Sequence, residues 1–215
     1  DSIKKDPAID GIQTTAEWDA LWQKDWYSDA EKAAADARFY IRKGQSANAL
    51  SVLDEEIARS PASDALLGMR GEVNYRLGNY AAAISDITAS LNLQKNNSEN
   101  NYTPPEGAGG GYFLRAQSYL QASRFKDAVN DFTRVLKEDP AVFPAYLLRA
   151  KAQAGLKSYD AAIRDVQTYL KYFENDNQAV YQCGEYNYLA GDYLNALKYF
   201  NRNLKEDPNN PLYFK

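Results

Sequence analysis

Small and large apolar positions recur along this chain with a fixed period of 34 residues. The frame fits residues 30–63, 64–97, 109–142, 143–176 and 177–210, with 98–108 set aside as an insert. The string Leu136-Lys-Glu-Asp-Pro140 returns unchanged as Leu204-Lys-Glu-Asp-Pro208. The twentieth position is Ala49, Ala83, Ala128, Ala162 and Ala196, and the eighth is Ala37, Gly71, Ala116, Ala150 and Gly184. Two helices that must approach closely need small residues at such points. Bulk stands at the seventeenth position (Ser46, Tyr80, Phe125, Tyr159, Tyr193), the twenty-fourth (Leu53, Ile87, Phe132, Val166, Phe200) and the twenty-eighth (Ile57, Leu91, Leu136, Leu170, Leu204). These residues fill what the small columns leave open. Each period predicts helix, short turn, helix, and repetition in this range is the mark of a solenoid. Gly44, Gly78 and Gly191 stand at the turn, where a left-handed cap needs no Cβ. Ser123 and Lys157 hold that place in the other two copies, so those turns are expected to differ slightly.

The flanks carry no such period. Residues 1–13 read as an irregular lead-in with Pro7 and Gly11. Thr14-Thr-Ala-Glu17 is a capping-box pattern opening a helix. Trp18, Trp22 and Trp26 then share one face of it. A cap over the first repeat's apolar side accounts for them, with a Trp-lined binding surface as the other reading. The insert and its flanks are polar, with Pro104-Pro105 and a Gly cluster, and predict a mobile surface loop. Gly107 to Gly111 precede a helix but lack the strand and the Lys-Ser/Thr of a phosphate loop. Asn96-Asn-Ser98 and Asn101-Tyr-Thr103 are glycosylation sequons of the kind that arise by chance in such loops. Residues 211–215 stand where Phe143–Leu147 stand in their period, so they predict the start of a further helix with Phe214 against the fifth repeat. Without that cover, the uncapped C-terminal end leaves oligomerisation open.

The small eighth, aromatic seventeenth, Ala twentieth and Pro61, Pro140 and Pro208 at position thirty-two resemble the tetratricopeptide repeat family over residues 30–210. Departures are Ala33, Leu67, Tyr112, Tyr146 and Val180 where the family has Trp, and Lys95 and Glu174 in place of Pro. The resemblance implies an all-α, right-handed superhelical solenoid of helix pairs, here preceded by the Trp-rich N-terminal capping helix. It implies that the first helix of each repeat lines a concave binding face. The residues at those places include Arg38, Arg42, Glu72, Tyr75, Arg76, Phe113, Gln117, Lys151, Tyr181, Glu185 and Tyr188. That face is expected to be cationic at one end and aromatic at the other, suited to carboxylates and apolar groups of an extended peptide. The family's terminal-carboxylate clamp is not matched, since its first places fall on Ala34, Arg38, Met69, Gly110 and Leu114.

Charge and composition narrow the chemistry. The net charge of −4, from 25 basic and 29 acidic residues, gives no nucleic-acid signature. No apolar run is long enough for a membrane span. The chain has no His, which removes the commonest general base and metal ligand. Its single cysteine, Cys183, sits within a repeat helix and reads as a small buried residue. No catalytic, cofactor or metal site is expected. Asp1 marks a processing or trimming boundary, which fits a cytoplasmic protein or one exported to the periplasm after signal removal. Arg70, Arg115 and Arg149 recur at position seven of the same repeats that hold Asp86, Asp131 and Asp165 at position twenty-three. Repetition at the structural period predicts ion pairs between the two helices. The function expected is a non-catalytic scaffold binding a peptide or protein segment on its concave face. The rivals are an assembly subunit contacting partners through the solenoid ends or convex face, and a glycan-binding repeat protein favoured only by the 17 tyrosines.

Overall fold

The computed structural model describes residues 27–96 and 110–206. The Trp helix, the insert 98–108 and the start of a helix at 211–215 lie outside the described residues. Every regular element among the described residues is an α-helix. The chain divides into two compact units, residues 1–61 and 62–215.

The first unit holds α1 (Asp29–Arg42) and α2 (Ser46–Arg59). Ser28 opens α1 with a capping box: its hydroxyl accepts the Glu31 amide, and the Glu31 carboxylate accepts the Ser28 amide at 2.8 Å. The pair closes on Ala33, Ala34 and Ala37 of α1 and Ala49, Leu53 and Ile57 of α2. Glu56 is buried on α2, with Arg59 3.6 Å away.

The second unit stacks four pairs: α3 (Asp64–Arg76) with α4 (Tyr80–Asn96), α5 (Gly110–Gln121) with α6 (Phe125–Glu138), α7 (Phe143–Gly155) with α8 (Tyr159–Leu170), and α9 (Asn177–Leu189) with α10 (Tyr193–Glu206). Ser63 and Asp176 cap α3 and α9 by accepting the amides of Leu66 and Ala179. Within a pair, the small eighth position meets the large twenty-fourth. A Cβ on Gly71 would stand 2.5 Å from Ile87, and one on Gly184 would stand 2.6 Å from Phe200. Ala83, Ala128 and Ala162 are fully buried beside these contacts. In two pairs a polar residue at position twenty-seven ties second helix to first: the Ser90 hydroxyl donates to the Asp64 carbonyl at 2.8 Å, and Asn203 Nδ2 donates to the Asn177 carbonyl at 2.9 Å.

Successive pairs stack α4 on α5, α6 on α7 and α8 on α9. The first helices also touch one another, α3 with α5 and α5 with α7. Leu136 shares one core cluster with Ala145 of the next pair, against which Tyr146 packs, and Leu170 shares another with Ala179 and Val180 of the next.

The turns differ only slightly, as expected. Ser123 and Lys157 adopt φ of 57° and 59°, the same left-handed conformation as Gly78 at 80° and Gly191 at 86°. The same six-to-one hydrogen bond closes each turn: Asn79 to Asn74, Arg124 to Tyr119, Ser158 to Gln153 and Asp192 to Asn187, at 2.8–2.9 Å. The bond and the packing of the following helix dictate φ, and they outweigh the roughly 1–2 kcal/mol that a Cβ costs there.

Candidate functional site

The Arg and Asp columns meet in the second unit. Arg70 Nε and Nη2 donate to Asp86 Oδ2 and Oδ1 at 2.9 and 2.7 Å. Arg115 spans Asp131 at 2.7 and 2.9 Å, and Arg149 spans Asp165 at 2.7 and 2.7 Å. Each pair therefore locks a first helix to its second by a two-pronged contact, and the three carboxylates are buried. The third guanidinium nitrogen reaches back one repeat: Arg115 Nη1 donates to the Thr88 hydroxyl, and Arg149 Nη1 to the Thr133 hydroxyl, both at 3.1 Å. The tyrosines at position four supply ring faces, Tyr112 at 5.3 Å from Arg115 and Tyr146 at 5.8 Å from Arg149. These arginines are thus structural cations embedded in the stack.

The last pair solves the same problem without charge. Cys183 and Tyr199 hold positions seven and twenty-three, and Gln167 of the preceding repeat donates to the Tyr199 hydroxyl at 3.2 Å. Asn187 Nδ2 donates to the Cys183 carbonyl at 2.7 Å. Burial pushes the Cys183 thiol up, against the opposing effect of hydrogen bonds with Tyr199 and Asn187. The reach-back residue at position twenty-five was missed from sequence. Its signal was present, as Thr88, Thr133 and Gln167 are all hydrogen-bonding side chains in one column.

The first helices of the second unit carry the candidate binding residues. Glu72 and Arg76 pair along α3 at 2.7 Å, so this Arg does not present a bare cation. Tyr75, beside Tyr80 at 5.9 Å, is half-buried, and that burial raises its phenol pKa. Gln117 is half-buried on α5, while Lys151 on α7 and Glu185 on α9 are exposed. Tyr181 is half-buried against Phe200, with ring centres 5.5 Å apart. Tyr188 is 57% exposed and stands edge-on to Tyr193 at 5.5 Å. Phe113 is a correction: it is 8% exposed and packs edge-on against Phe132 at 5.7 Å, so it belongs to the core and not to an open face. In the first unit, Arg38 and Arg42 are exposed on α1.

One buried phenol has a consequence for stability. Burial, with Glu185 adjacent, pushes Tyr186 from 10.0 up to about 12. A group whose folded pKa is raised keeps its stabilising effect below the unfolded pKa and loses it as pH climbs through the folded value. The urea midpoint is therefore expected to hold up to about pH 10 and to fall from there towards about 12, with Tyr186→Phe reducing the fall. An equally steep alkaline loss in that variant would exclude this origin.

A family model described as Tetratricopeptide repeat matches residues 34–92, 113–167 and 155–211. No curated protein matches the sequence. Among solved structures, "MamA 41-end from Desulfovibrio magneticus RS-1" superposes with a TM-score of 0.72 at 18% identity, covering 87% of this chain and 99% of that one. "MamA RS-1 ArsTM double mutant" gives 0.71 at 19% identity, covering 84% of this chain and 96% of that one. YrrB, described as a TPR protein with an unusual peptide-binding site, gives 0.72 at 13% identity, covering 85% and 88%. At these identities the likeness is one of fold. No helix among the described residues is long and apolar enough to cross a membrane.

Proposed function

The chain belongs to the tetratricopeptide repeat family of protein-interaction repeats, and on that premise we propose that it is a non-catalytic scaffold holding a polypeptide segment along the first helices of its second unit. The observation that carries the reading is the exposed Tyr188 near the C-terminal end of α9, a ring the core does not use, on the same helix as the exposed Glu185. An amphipathic ring left half in water is the kind of anchor that interfaces favour. Lys151 on α7 supplies a cation and Glu185 an anion, so the face suits an extended segment with one charge of each sign and an apolar group for Tyr188. The contact of α3 with α5 and α5 with α7 supports an inner face made by first helices. The peptide-binding site in YrrB's description is consistent with a ligand on this fold.

Peptides selected on the 215-residue chain from a displayed random library provide the test. Tyr188→Ala is expected to weaken the selected peptides about tenfold, the scale of one anchor residue. Lys151→Glu is expected to weaken those bearing an acid. Lys137→Glu on α6 is expected to leave binding unchanged. In the first unit, Arg38→Glu/Arg42→Glu tests the remaining cations separately. Unchanged affinity in both the Tyr188 and Lys151 variants would move the site off this face.

A further inference from the structure

We propose that the outer face of α10 is a second docking surface, built for an amphipathic helix of a partner polypeptide with acidic residues along one edge. The stacking interface of the second unit continues onto this face. Leu91, Leu136 and Leu170, at position twenty-eight, are 6%, 7% and 9% exposed, whereas Leu204 in the same place is 40% exposed. Position twenty-one is half-buried as Ile84, Val129 and Ile163, but Leu197 is 57% exposed. On α6 and α8 the twenty-eighth position belongs to a core cluster shared with the first helix of the next pair, which stacks on that helix, so the shape the face takes is a helix.

A further repeat would not account for all of it. Position eighteen is exposed on every second helix of this unit and is Ala81, Lys126 and Asp160 in the earlier pairs. On α10 it is Leu194, 84% exposed. An apolar residue at a position that stacking never covers implies a contact wider than the repeat interface. The helical period of about 3.6 residues places Leu194, Leu197 and Leu204 in one stripe with Tyr193. The same period sets Lys198 and Lys205 along one border of that stripe, both exposed. From Tyr193 to Lys205 there is no Asp or Glu. The border is therefore a row of one sign. Glu or Asp on the matching edge of the incoming helix would satisfy it, while a basic edge would be repelled.

The test uses the 215-residue chain. The probes are two fluorescent helical peptides of about 18 residues, roughly five turns. Both carry the same leucine stripe; one has Glu along its edge, the other Lys. Anisotropy is expected to show the Glu peptide binding at least about tenfold more tightly, with the preference shrinking at high salt. Leu194→Ser/Leu197→Ser, both exposed positions, is expected to remove the binding while leaving the thermal midpoint in place. Lys198→Glu/Lys205→Glu is expected to invert the preference between peptides. Lys151→Ala on α7, exposed on the first-helix face, is expected to leave both peptides unaffected, which separates this surface from that face. Equal binding of the two peptides, or none, overturns the proposal, as does binding that appears only when residues 211–215 are removed, since the occupant would then be this chain's own segment. So does a dimer in light scattering that the double serine variant dissolves, since the occupant would then be a second copy of this chain.

Discussion

Phe132→Ala is expected to lower the free energy of unfolding by about 3–5 kcal/mol. Its ring is fully buried at the centre of a cluster with Phe113, Ala116, Ala128 and Ala145. Alanines cannot swing into the space a lost ring leaves, and their helices are held by the Arg115–Asp131 contact on one side and the next pair on the other. The cavity therefore stays open, and the transfer term and the cavity term add. Phe200→Ala is the internal control. It removes the same side chain from the same column of the last pair, where the ring is only half-buried. Its cost is expected to be the smaller of the two. Urea unfolding followed by circular dichroism gives both values. A Phe132 loss no greater than that of Phe200 would show that the pairs are not packed by a common rule.

Arg149→Met is expected to cost a similar amount, about 3–5 kcal/mol, because it strands the Asp165 carboxylate in a buried place. The second variant decides the interpretation. Arg149→Met/Asp165→Leu is expected to regain most of the loss, since two apolar side chains of similar size need no hydration in exchange. The precedent lies in the same molecule: Cys183 and Tyr199 occupy these columns without any formal charge. A double variant as unstable as the single one would mean that Arg149 stabilises through Thr133 and Tyr146 and not through its carboxylate partner.

The helix pairs were legible because a repeat compares each position with itself. An alanine in five successive copies of one column can only be a close helix contact. The Arg and Asp columns were legible for the same reason, since partners at one fixed offset co-occur in the same three repeats. The Cys183–Tyr199 contact was not, because a pair replaced at both ends leaves two unrelated letters in the sequence. Its geometry depends on Gln167, a residue of the preceding repeat.

The period, the helix–turn–helix unit and the small and large columns can be read directly from the amino-acid order. Those are local matters: backbone period, capping and side-chain volume act within about one repeat. Three features follow from packing between elements. That packing turned Phe113 inward, because the edge of Phe132 offered a partner and the column at position five, with Ala34, Gly68, Leu147 and Tyr181, prescribes no size. It forced Ser123 and Lys157 into the left-handed turn, because the six-to-one hydrogen bond and two docked helices constrain φ more strongly than a Cβ resists it. And it determined the exposure of the repeated face on α10, since the burial of a leucine depends on the element stacked against it, which no residue on its own helix encodes.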